Sequence, residues 1–369
     1  MLYPPIENES KKPVVSLWHR DIRDVLFNQA GNVPKRELAA YNIQLSYLLG
    51  AGITFAQALL ILSAQTRGRI LKRVLPDLHT KISQGESPAQ AMRAAGVFPL
   101  FMCGLIAIGE TTAQLPRVCG QLADFYEQQA RNEEELRAAL VYPVAVTVMM
   151  LGVITMAVVV VLPGYANIFE ASGVQMPVLT RWLMAAAIFI TENTLPLGVG
   201  LFALLVGGLF FIKGKAGQRF VSAVQLRFSF FKRGINFRLL QSLSLMLDAG
   251  QPISRAIPLC AEVINNVYVK EDLTHLAASM AAGRPFWSSL SELKYIDETF
   301  VSMARVGEEA GHLPKTIHQC MQYTQQEYKK ALGRMNKLME PIITLVLGVL
   351  LAIVMLAIVL PTFELATVI

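Results

Sequence analysis

The chain has few charged residues for its length: Asp, Glu, Lys and Arg make up 16% of its 369 residues, whereas hydrophobic residues make up 53%. Soluble domains usually carry about 25% charged residues, so this composition disfavours an ordinary soluble enzyme. The 27 acidic and 33 basic side chains nevertheless require regions in contact with water. We therefore expect a membrane protein with substantial domains outside the bilayer.

The sequence also lacks the short motifs that carry common chemistries. It contains no H-E-x-x-H or C-x-x-C pair for a metal, no G-x-x-x-x-G-K-[ST] loop for phosphate and no G-x-S-x-G turn for a nucleophilic serine. We therefore predict that the protein is not an enzyme and has no catalytic residue, cofactor or metal ion of its own. Any ATP must be handled by a partner.

Charge is absent from three long stretches, at residues 144–163, 195–212 and 341–361. A membrane-spanning helix needs about 20 predominantly apolar residues, so each stretch predicts one transmembrane helix. A further apolar stretch at residues 182–191 precedes the second span and is separated from it by Glu192 and Asn193. We interpret it as interfacial or as a helical extension outside the bilayer.

Basic residues are unevenly distributed between the regions that these spans separate. Residues 1–143 hold 15 Lys and Arg and residues 213–337 hold 17, whereas residues 164–193 hold one and residues 361–369 hold none. Because basic residues concentrate on the cytoplasmic side, we predict an inner-membrane protein with a cytoplasmic N-terminus and an outward C-terminus. This distribution explains the net charge of +6 without nucleic acid, and the basic residues after the second span suit anionic lipid or an acidic partner.

The predicted order along the chain follows from the spans and their orientation. The segments are a cytoplasmic arm at 1–35, a first helical bundle at 36–143, the first span at 144–163, an outward periplasmic loop at 164–194, the second span at 195–212, a second cytoplasmic bundle at 213–340, the third span at 341–361 and an outward tail at 362–369. Residues 1–34 contain no apolar run, so we expect no signal peptide.

The sequence contains an internal repeat of two copies, at an offset of 198 residues and without a gap. The matching residues include Gly109-Glu110 with Gly307-Glu308, Leu115-Pro116 with Leu313-Pro314, and Pro143 with Pro341. Two copies in one orientation require the chain to return between them, and the second span supplies that return. We predict a tandem repeat in which each copy is a cytoplasmic bundle followed by an outward-going span.

Apolar residues recur at three- and four-residue spacing within each copy, which is typical of helices, and no alternating strand pattern occurs. We therefore predict an all-α protein with two homologous bundles of about six helices each. The last helix begins at Ala113 in the first copy and at Gly311 in the second, and leads into the membrane. Thr54 with Gln57 resembles a capping box, and Ser87-Pro88 resembles an N-cap followed by proline.

The glutamates that follow a glycine in both copies, Glu110 and Glu308, are the most notable acids. We interpret each as a carboxylate near a helix start that accepts backbone N–H bonds. The alternative is a contact with a cation or a partner, with Gln114 and His312 as neighbours.

The prolines at the edge of the first and third spans, Pro143 and Pro341, carry a second pair of interpretations. Each removes one backbone hydrogen bond and either kinks its helix or marks the entry of that helix into the bilayer.

A resemblance to a known family rests on Leu49-Gly-Ala-Gly-Ile53, on Gly85, and on the run from Gly307-Glu308 through Gly311 to Leu313-Pro314. These residues resemble the F-type platform protein of type II secretion and type IV pilus systems, over residues 36–364 and in both copies. The resemblance implies an inner-membrane assembly protein that couples a hexameric cytoplasmic ATPase to pilin or pseudopilin subunits. It further implies other inner-membrane assembly proteins as partners and a homo-oligomer. Ala113 departs from the pattern, because the second copy has Gly311 there.

A subunit of a small oligomeric transporter or channel is the main alternative. Ionisable residues inside spans mark substrate or proton paths, and the three predicted spans contain none. Only Glu192 would qualify, and only if the second span began at Trp182.

Overall fold

The structure is a computed structural model that describes residues 33–156 and 192–366, together with 181, 182, 185, 188 and 189. All regular secondary structure within these residues is α-helical, as predicted. The arm at 1–32, the end of the first span at 157–163, the outward loop at 164–180 and the tail end at 367–369 lie outside the described residues. The chain divides into two compact units, 1–126 and 127–369.

The N-terminal module, defined as residues 35–126, contains five short helices and the start of a long one. The helices are α1 Lys35–Gly50, α2 Phe55–Gln65, α3 Arg69–Ser83, α4 Pro88–Ala95, α5 Leu100–Thr111 and α6 Leu115–Met156. Each of the six contributes at least one side chain that is nearly or fully buried, such as Leu45, Leu59, Leu75, Met92, Phe101 and Leu122. The predicted capping residue Thr54 accepts the Gln57 N–H at 3.3 Å.

The unit at 127–369 contains eight further helices among its described residues. They are α7 Thr194–Lys213, α8 Lys215–Arg227, α9 Ser229–Asp248, α10 Ile253–Ala261, α11 Val267–Ala281, α12 Phe286–Ser291, α13 Glu298–Glu309 and α14 Leu313–Ala366. Residues 229–332 of this unit are called the C-terminal module below. Its core includes Leu240, Phe237 and Phe286, each at most 1% exposed.

Helix boundaries in the two modules fall at the same spacing. The helices α2 to α6 begin at residues 55, 69, 88, 100 and 115, and α10 to α14 begin at residues 253, 267, 286, 298 and 313. The long helices α6 and α14 therefore begin at Leu115 and Leu313, two residues later than the sequence predicted. The reason is local: Ala113 and Gly311 adopt left-handed backbone conformations that cannot belong to a helix.

Two helices of the described residues are long and apolar enough to cross a membrane, by length and composition. They lie within 115–156 and 313–353, which agrees with the first and third predicted spans. Their apolar side chains are exposed, as at Met149 and Leu345. The predicted second span at 195–212 is a 20-residue helix, α7, with exposed Leu204 and Phe210.

Candidate functional site

The turn between α13 and α14 is closed by two backbone hydrogen bonds. The His312 N–H donates to the Gly307 carbonyl oxygen at 2.8 Å, and the Gly311 N–H donates to the Glu308 carbonyl oxygen at 3.2 Å. Gly311 has φ +69°, a left-handed conformation that glycine adopts without a Cβ penalty. This arrangement is a Schellman motif, which satisfies carbonyl groups left over at the end of a helix.

The same turn forms between α5 and α6, although alanine replaces glycine at its left-handed position. The Gln114 N–H donates to the Gly109 carbonyl oxygen at 2.8 Å, and the Ala113 N–H donates to that of Glu110 at 3.4 Å. Ala113 has φ 53° and is, within the part of the chain that the structure describes, the single non-glycine residue with positive φ. The first copy therefore keeps the tight turn, at a strain of roughly 1 kcal/mol.

The carboxylate of Glu308 caps the start of α12. Its Oε1 accepts the Phe286 N–H at 2.8 Å, and its Oε2 accepts the Trp287 N–H at 2.9 Å. These N–H groups have no partner within their own helix, and the negative charge suits the positive end of the helix dipole. For Glu308 the sequence interpretation was right that backbone N–H groups are the donors, but wrong to place the carboxylate near the start of a helix. Glu308 lies near the end of α13 and caps a helix that begins 22 residues earlier in the chain.

The corresponding carboxylate in the N-terminal module, Glu110, accepts a hydrogen bond from a side chain, so the interpretation of a backbone N–H donor was wrong for this residue. The Ser87 hydroxyl donates to Glu110 Oε2 at 2.8 Å. Pro88 is the first residue of α4 and has no N–H to donate, whereas Phe286 stands at the equivalent position of α12. Ser87 lies at the predicted N-cap, but its side chain makes no capping bond to α4. Its hydroxyl instead replaces the N–H that proline removes.

Glycine before each glutamate allows two helices to approach closely. A Cβ on Gly307 would lie 2.5 Å from Thr316 Oγ1 of α14. A Cβ on Gly109 would lie 3.2 Å from Leu115 Cδ2 and from Val118 Cβ of α6. The glycine-glutamate pair thus makes two contacts. The glycine lets the long helix pack closely, and the glutamate binds the short helix that precedes its own.

The proline in the first turn of each long helix is compatible with helix formation, because the first N–H groups of a helix have no partner in it. Pro116 and Pro314 are the second residues of α6 and α14. The Pro116 carbonyl oxygen accepts the Ser46 hydroxyl at 2.8 Å. In the C-terminal module the matching Ser244 hydroxyl lies 3.2 Å from His318 Nδ1 instead.

The two span-edge prolines lie inside continuous helices. Pro143 is within α6 and Pro341 is within α14, so neither marks the start of a helix. A cavity of about 740 Å³ lies beside Pro143 in the unit 127–369. Its lining includes Glu135, Tyr142, Pro143, Lys329, Leu332 and Glu340. A kink at either proline stays a prediction.

The partners of the two glutamates were missed by reasoning from the sequence. Ser87, Phe286 and Trp287 lie more than 20 residues from the carboxylates they bind, and no short motif links them. The aligned copies did contain one signal, the exchange of Ser87-Pro88 for Pro285-Phe286. That exchange moves the proline by one residue and thereby changes which donor is available.

The potential metal ligands and the cysteines of the described residues form neither a metal site nor an exposed thiol. No group of three or more His, Cys, Asp or Glu side chains there is arranged to hold a metal ion. All four cysteines are buried and free. Burial raises the pKa of Cys103 to about 11 and that of Cys119 to about 12, so these thiols stay protonated near neutral pH.

The sequence profile of the family described as "Type II secretion system (T2SS), protein F" matches the chain twice, at residues 43–163 and at residues 239–361. The chain belongs to this family. Both matches contain a glycine-glutamate turn and include the apolar part of a long helix. The resemblance inferred from the sequence is therefore confirmed.

Named relatives in this family extend over most of the chain. The type IV pilus assembly protein PilC of Thermus thermophilus is 28% identical over 334 residues, covering 89% of this chain and 82% of that protein. PilC of Pseudomonas aeruginosa is 24% identical and covers 93% and 94% of the two chains. The type II secretion system protein F of Aeromonas hydrophila is 26% identical and covers 90% and 87%. The relatives of this chain thus include proteins named for type IV pilus assembly and a protein named for type II secretion.

Proposed function

We propose that this protein is an inner-membrane assembly platform of a type IV pilus or type II secretion machine and has no catalytic activity of its own. The observation that carries the proposal is the double family match, each half of which joins a helical module to a long apolar helix. Relatives that align over about nine-tenths of the chain are named as pilus assembly or secretion proteins. The partners are a cytoplasmic hexameric ATPase, pilin or pseudopilin subunits, other inner-membrane assembly proteins and further copies of the chain.

The proposed topology has three crossings, through the apolar parts of α6, α7 and α14. Both modules are cytoplasmic and are copies of one repeated unit, and the return through α7 lets the copies share one orientation. The helix starts shared at an offset of 198 residues support the repeat, and the excess of Lys and Arg in both modules supports the orientation.

The proposed coupling is mechanical and passes through α14. This helix continues without interruption for 54 residues, from the Glu308 turn to Ala366. At about 1.5 Å per residue it is roughly 80 Å long, which is sufficient to reach from a cytoplasmic module across a bilayer. A displacement imposed on the module by an ATPase is then carried into the membrane by a rigid element, and Pro341 weakens that element at one point.

Affinity purification of the full chain in detergent from its own host tests the proposal. We expect the assembly ATPase and pilin-like proteins to co-purify, and Glu308→Lys to weaken assembly while the protein stays in the membrane. The matched control is Glu309→Lys, the same charge reversal at a neighbouring exposed residue that pairs with Arg305 on the same helix. Normal pilus or pseudopilus output from Glu308→Lys would exclude a role for this turn.

Reporter fusions test the topology separately. We expect fusions within residues 213–340 to report a cytoplasmic location and fusions within 164–194 to report a periplasmic one. A periplasmic signal from the C-terminal module would overturn the proposed orientation. Solute flux through the purified chain in liposomes would instead support the transporter alternative.

A further inference from the structure

A short helix with an exposed apolar face follows directly after α7. In α8 (Lys215–Arg227) a subset of the exposed side chains recurs at three- and four-residue spacing, which places that subset on one face. Its apolar members are Ala216, Phe220, Ala223 and Val224, called the α8 stripe. Phe220 is 65% exposed, and Phe228 just beyond the helix is 56% exposed. Exposed apolar side chains that lie together mark an interaction surface.

The opposite face of α8 is fastened to the C-terminal module by hydrogen bonds. The Val267 N–H donates to Ser222 Oγ at 3.1 Å. Asn266 Nδ2 donates to the Ser222 carbonyl oxygen at 3.0 Å and to Gln225 Oε1 at 3.1 Å. Because the polar face is held in this way, α8 cannot rotate to bury its apolar stripe in the module.

The corner between α7 and α8 fixes where this stripe lies. Gly214 has an extended backbone that ends α7 and starts α8. A Cβ on Gly217 would overlap the Phe211 carbonyl oxygen, so the first turn of α8 packs against the last turn of α7. The amphipathic helix is therefore held at the end of an apolar helix of membrane-spanning length.

The sequence segment that contains α8 carries charge of one sign only. Residues 195–247 contain no Asp or Glu. Their basic residues are Lys213, Lys215, Arg219, Arg227, Lys232, Arg233 and Arg238. Arg219 also lies 3.7 Å from Glu271 of α11. An amphipathic helix with basic flanks and aromatic residues is the pattern that binds the surface of an anionic bilayer.

We propose that α8 lies in the cytoplasmic interface of the membrane, with the α8 stripe inserted between lipid chains and with Lys215 and Arg227 at anionic headgroups. The occupant of this face is lipid, because the stripe is continuous with a helix whose exposed side chains are apolar as well. The inference rests on the proposed crossing by α7. Its consequence is that the C-terminal module is held at a fixed position against the bilayer.

Site-specific fluorescence on the full chain in lipid nanodiscs tests the placement. A nitrobenzoxadiazole label is attached through Phe220→Cys, with Val224→Cys as a second site in case the first variant does not fold. Val306→Cys is the matched control, since Val306 on α13 is 66% exposed and Phe220 is 65% exposed. The native cysteines are buried, and the unsubstituted chain gives the background labelling.

We expect the label at 220 to lose most of its fluorescence to spin-labelled lipid and little to aqueous iodide. The label at 306 should behave in the opposite way. Labels at 220 and 224 that respond to iodide but not to spin-labelled lipid would overturn the proposal. They would leave this face to a protein partner.

A label at Leu204→Cys, in the middle of α7, separates this inference from the proposed function. Lipid quenching at 204 without quenching at 220 contradicts the interfacial placement of α8 and remains consistent with a membrane crossing by α7. Absence of lipid quenching at both positions contradicts the interfacial placement of α8 and the crossing by α7. Lipid quenching at 220 without co-purification of an ATPase or pilins supports the inference and contradicts the proposed function.

A charge test addresses the headgroups. Lys215→Gln combined with Arg227→Gln should reduce the lipid-inserted fraction of the 220 label in phosphatidylglycerol nanodiscs, by about fivefold for each charge at low salt. In phosphatidylcholine nanodiscs the same double variant should match the parent. The control is Arg255→Gln with Lys294→Gln, two exposed basic residues elsewhere in the C-terminal module, which should have no effect. Equal effects of the two double variants would contradict a specific role for α8.

Discussion

The two modules make the same contact between two consecutive short helices, α4 with α5 and α12 with α13, but with different donors. In the C-terminal module Glu308 accepts two backbone N–H groups, from Phe286 and Trp287. In the N-terminal module Glu110 accepts the hydroxyl of Ser87. The difference arises because proline stands at position 88 in one module and at 285 in the other. Both modules keep the carboxylate at the same position and change only the group that donates to it. The link between the two helices is therefore common to both modules, whereas the kind of donor is not.

The turn that follows each glutamate differs in the same direction, with the less favourable version again in the N-terminal module. Gly311 takes a positive φ at no steric cost, whereas Ala113 takes nearly the same conformation with a Cβ. The N-terminal module therefore combines a weaker glutamate contact with a strained turn. We expect it to be the less stable of the two at this junction, and paired substitutions can break or sharpen this comparison.

The largest expected effect is that of a methyl group at Gly307. Gly307→Ala should lower the free energy of unfolding by about 2 kcal/mol, because its Cβ would overlap Thr316 and overpacking is costly. Gly109→Ala should cost about half as much, since the nearest atoms are 3.2 Å away. Chemical denaturation of the full chain in detergent measures both values.

The control for this pair is Gly333→Ala in α14, where no atom lies within 4 Å of the new Cβ. It should raise the free energy of unfolding by about 0.8 kcal/mol through helix propensity alone. Equal destabilisation by Gly307→Ala and Gly109→Ala would contradict the proposed difference in packing.

Removal of the two carboxylates should have the next largest effect. Glu308→Ala should cost about 1.5 kcal/mol, because two charge-assisted hydrogen bonds are lost. Glu110→Ala should cost about 0.7 kcal/mol, since a single hydroxyl loses its acceptor. Hydrogen exchange of the Phe286 and Trp287 amides should accelerate in Glu308→Ala and stay unchanged in Glu110→Ala. Unchanged protection of these amides in both variants would show that the glutamate cap contributes nothing.

Exchange of the left-handed residues should produce opposite and smaller effects. Ala113→Gly should raise the free energy of unfolding by about 1 kcal/mol, because it relieves a positive φ. Gly311→Ala should lower it by a similar amount for the same reason. Denaturation midpoints of the two variants, compared with the parent, measure the pair. A loss of stability in Ala113→Gly would mean that the Cβ of Ala113 makes a favourable contact that outweighs the strain.

The smallest expected effect concerns the thiols, for which the modules should behave alike. Burial raises the pKa of Cys260 to about 12 and that of Cys320 to about 11, as it does for the two cysteines of the N-terminal module. We expect almost no maleimide labelling of the folded chain at pH 7 and complete labelling after denaturation. Rapid labelling of any one cysteine in the folded chain would identify a module that opens locally.

Much of the local structure could be predicted from the sequence. The apolar spacing predicted the helices, and Thr54 accepts the Gln57 N–H, as its resemblance to a capping box predicted. The start of α6 was predicted too early, because an alanine in the left-handed region is rare and gives no sequence signal.

The candidate site was predicted only as far as residue identity allows. Gly109, Glu110, Gly307 and Glu308 were named from their repetition, but their partners were not. A carboxylate can accept a hydrogen bond from any donor within reach, and the donors here come from a different helix. Which helix lies within reach is a property of packing.

The sequence by itself determined the helical class of the described residues and the spacing of the helix ends, because side-chain periodicity and the conformational freedom of glycine act over a few residues. The uncharged stretches likewise fixed where long apolar helices occur. Only the tertiary structure decided that Glu308 caps α12, that the Ser87 hydroxyl donates to Glu110, and that α8 is held at the end of α7. These contacts join residues that are distant in sequence or depend on a close approach of backbones, and both are set by how the helices pack.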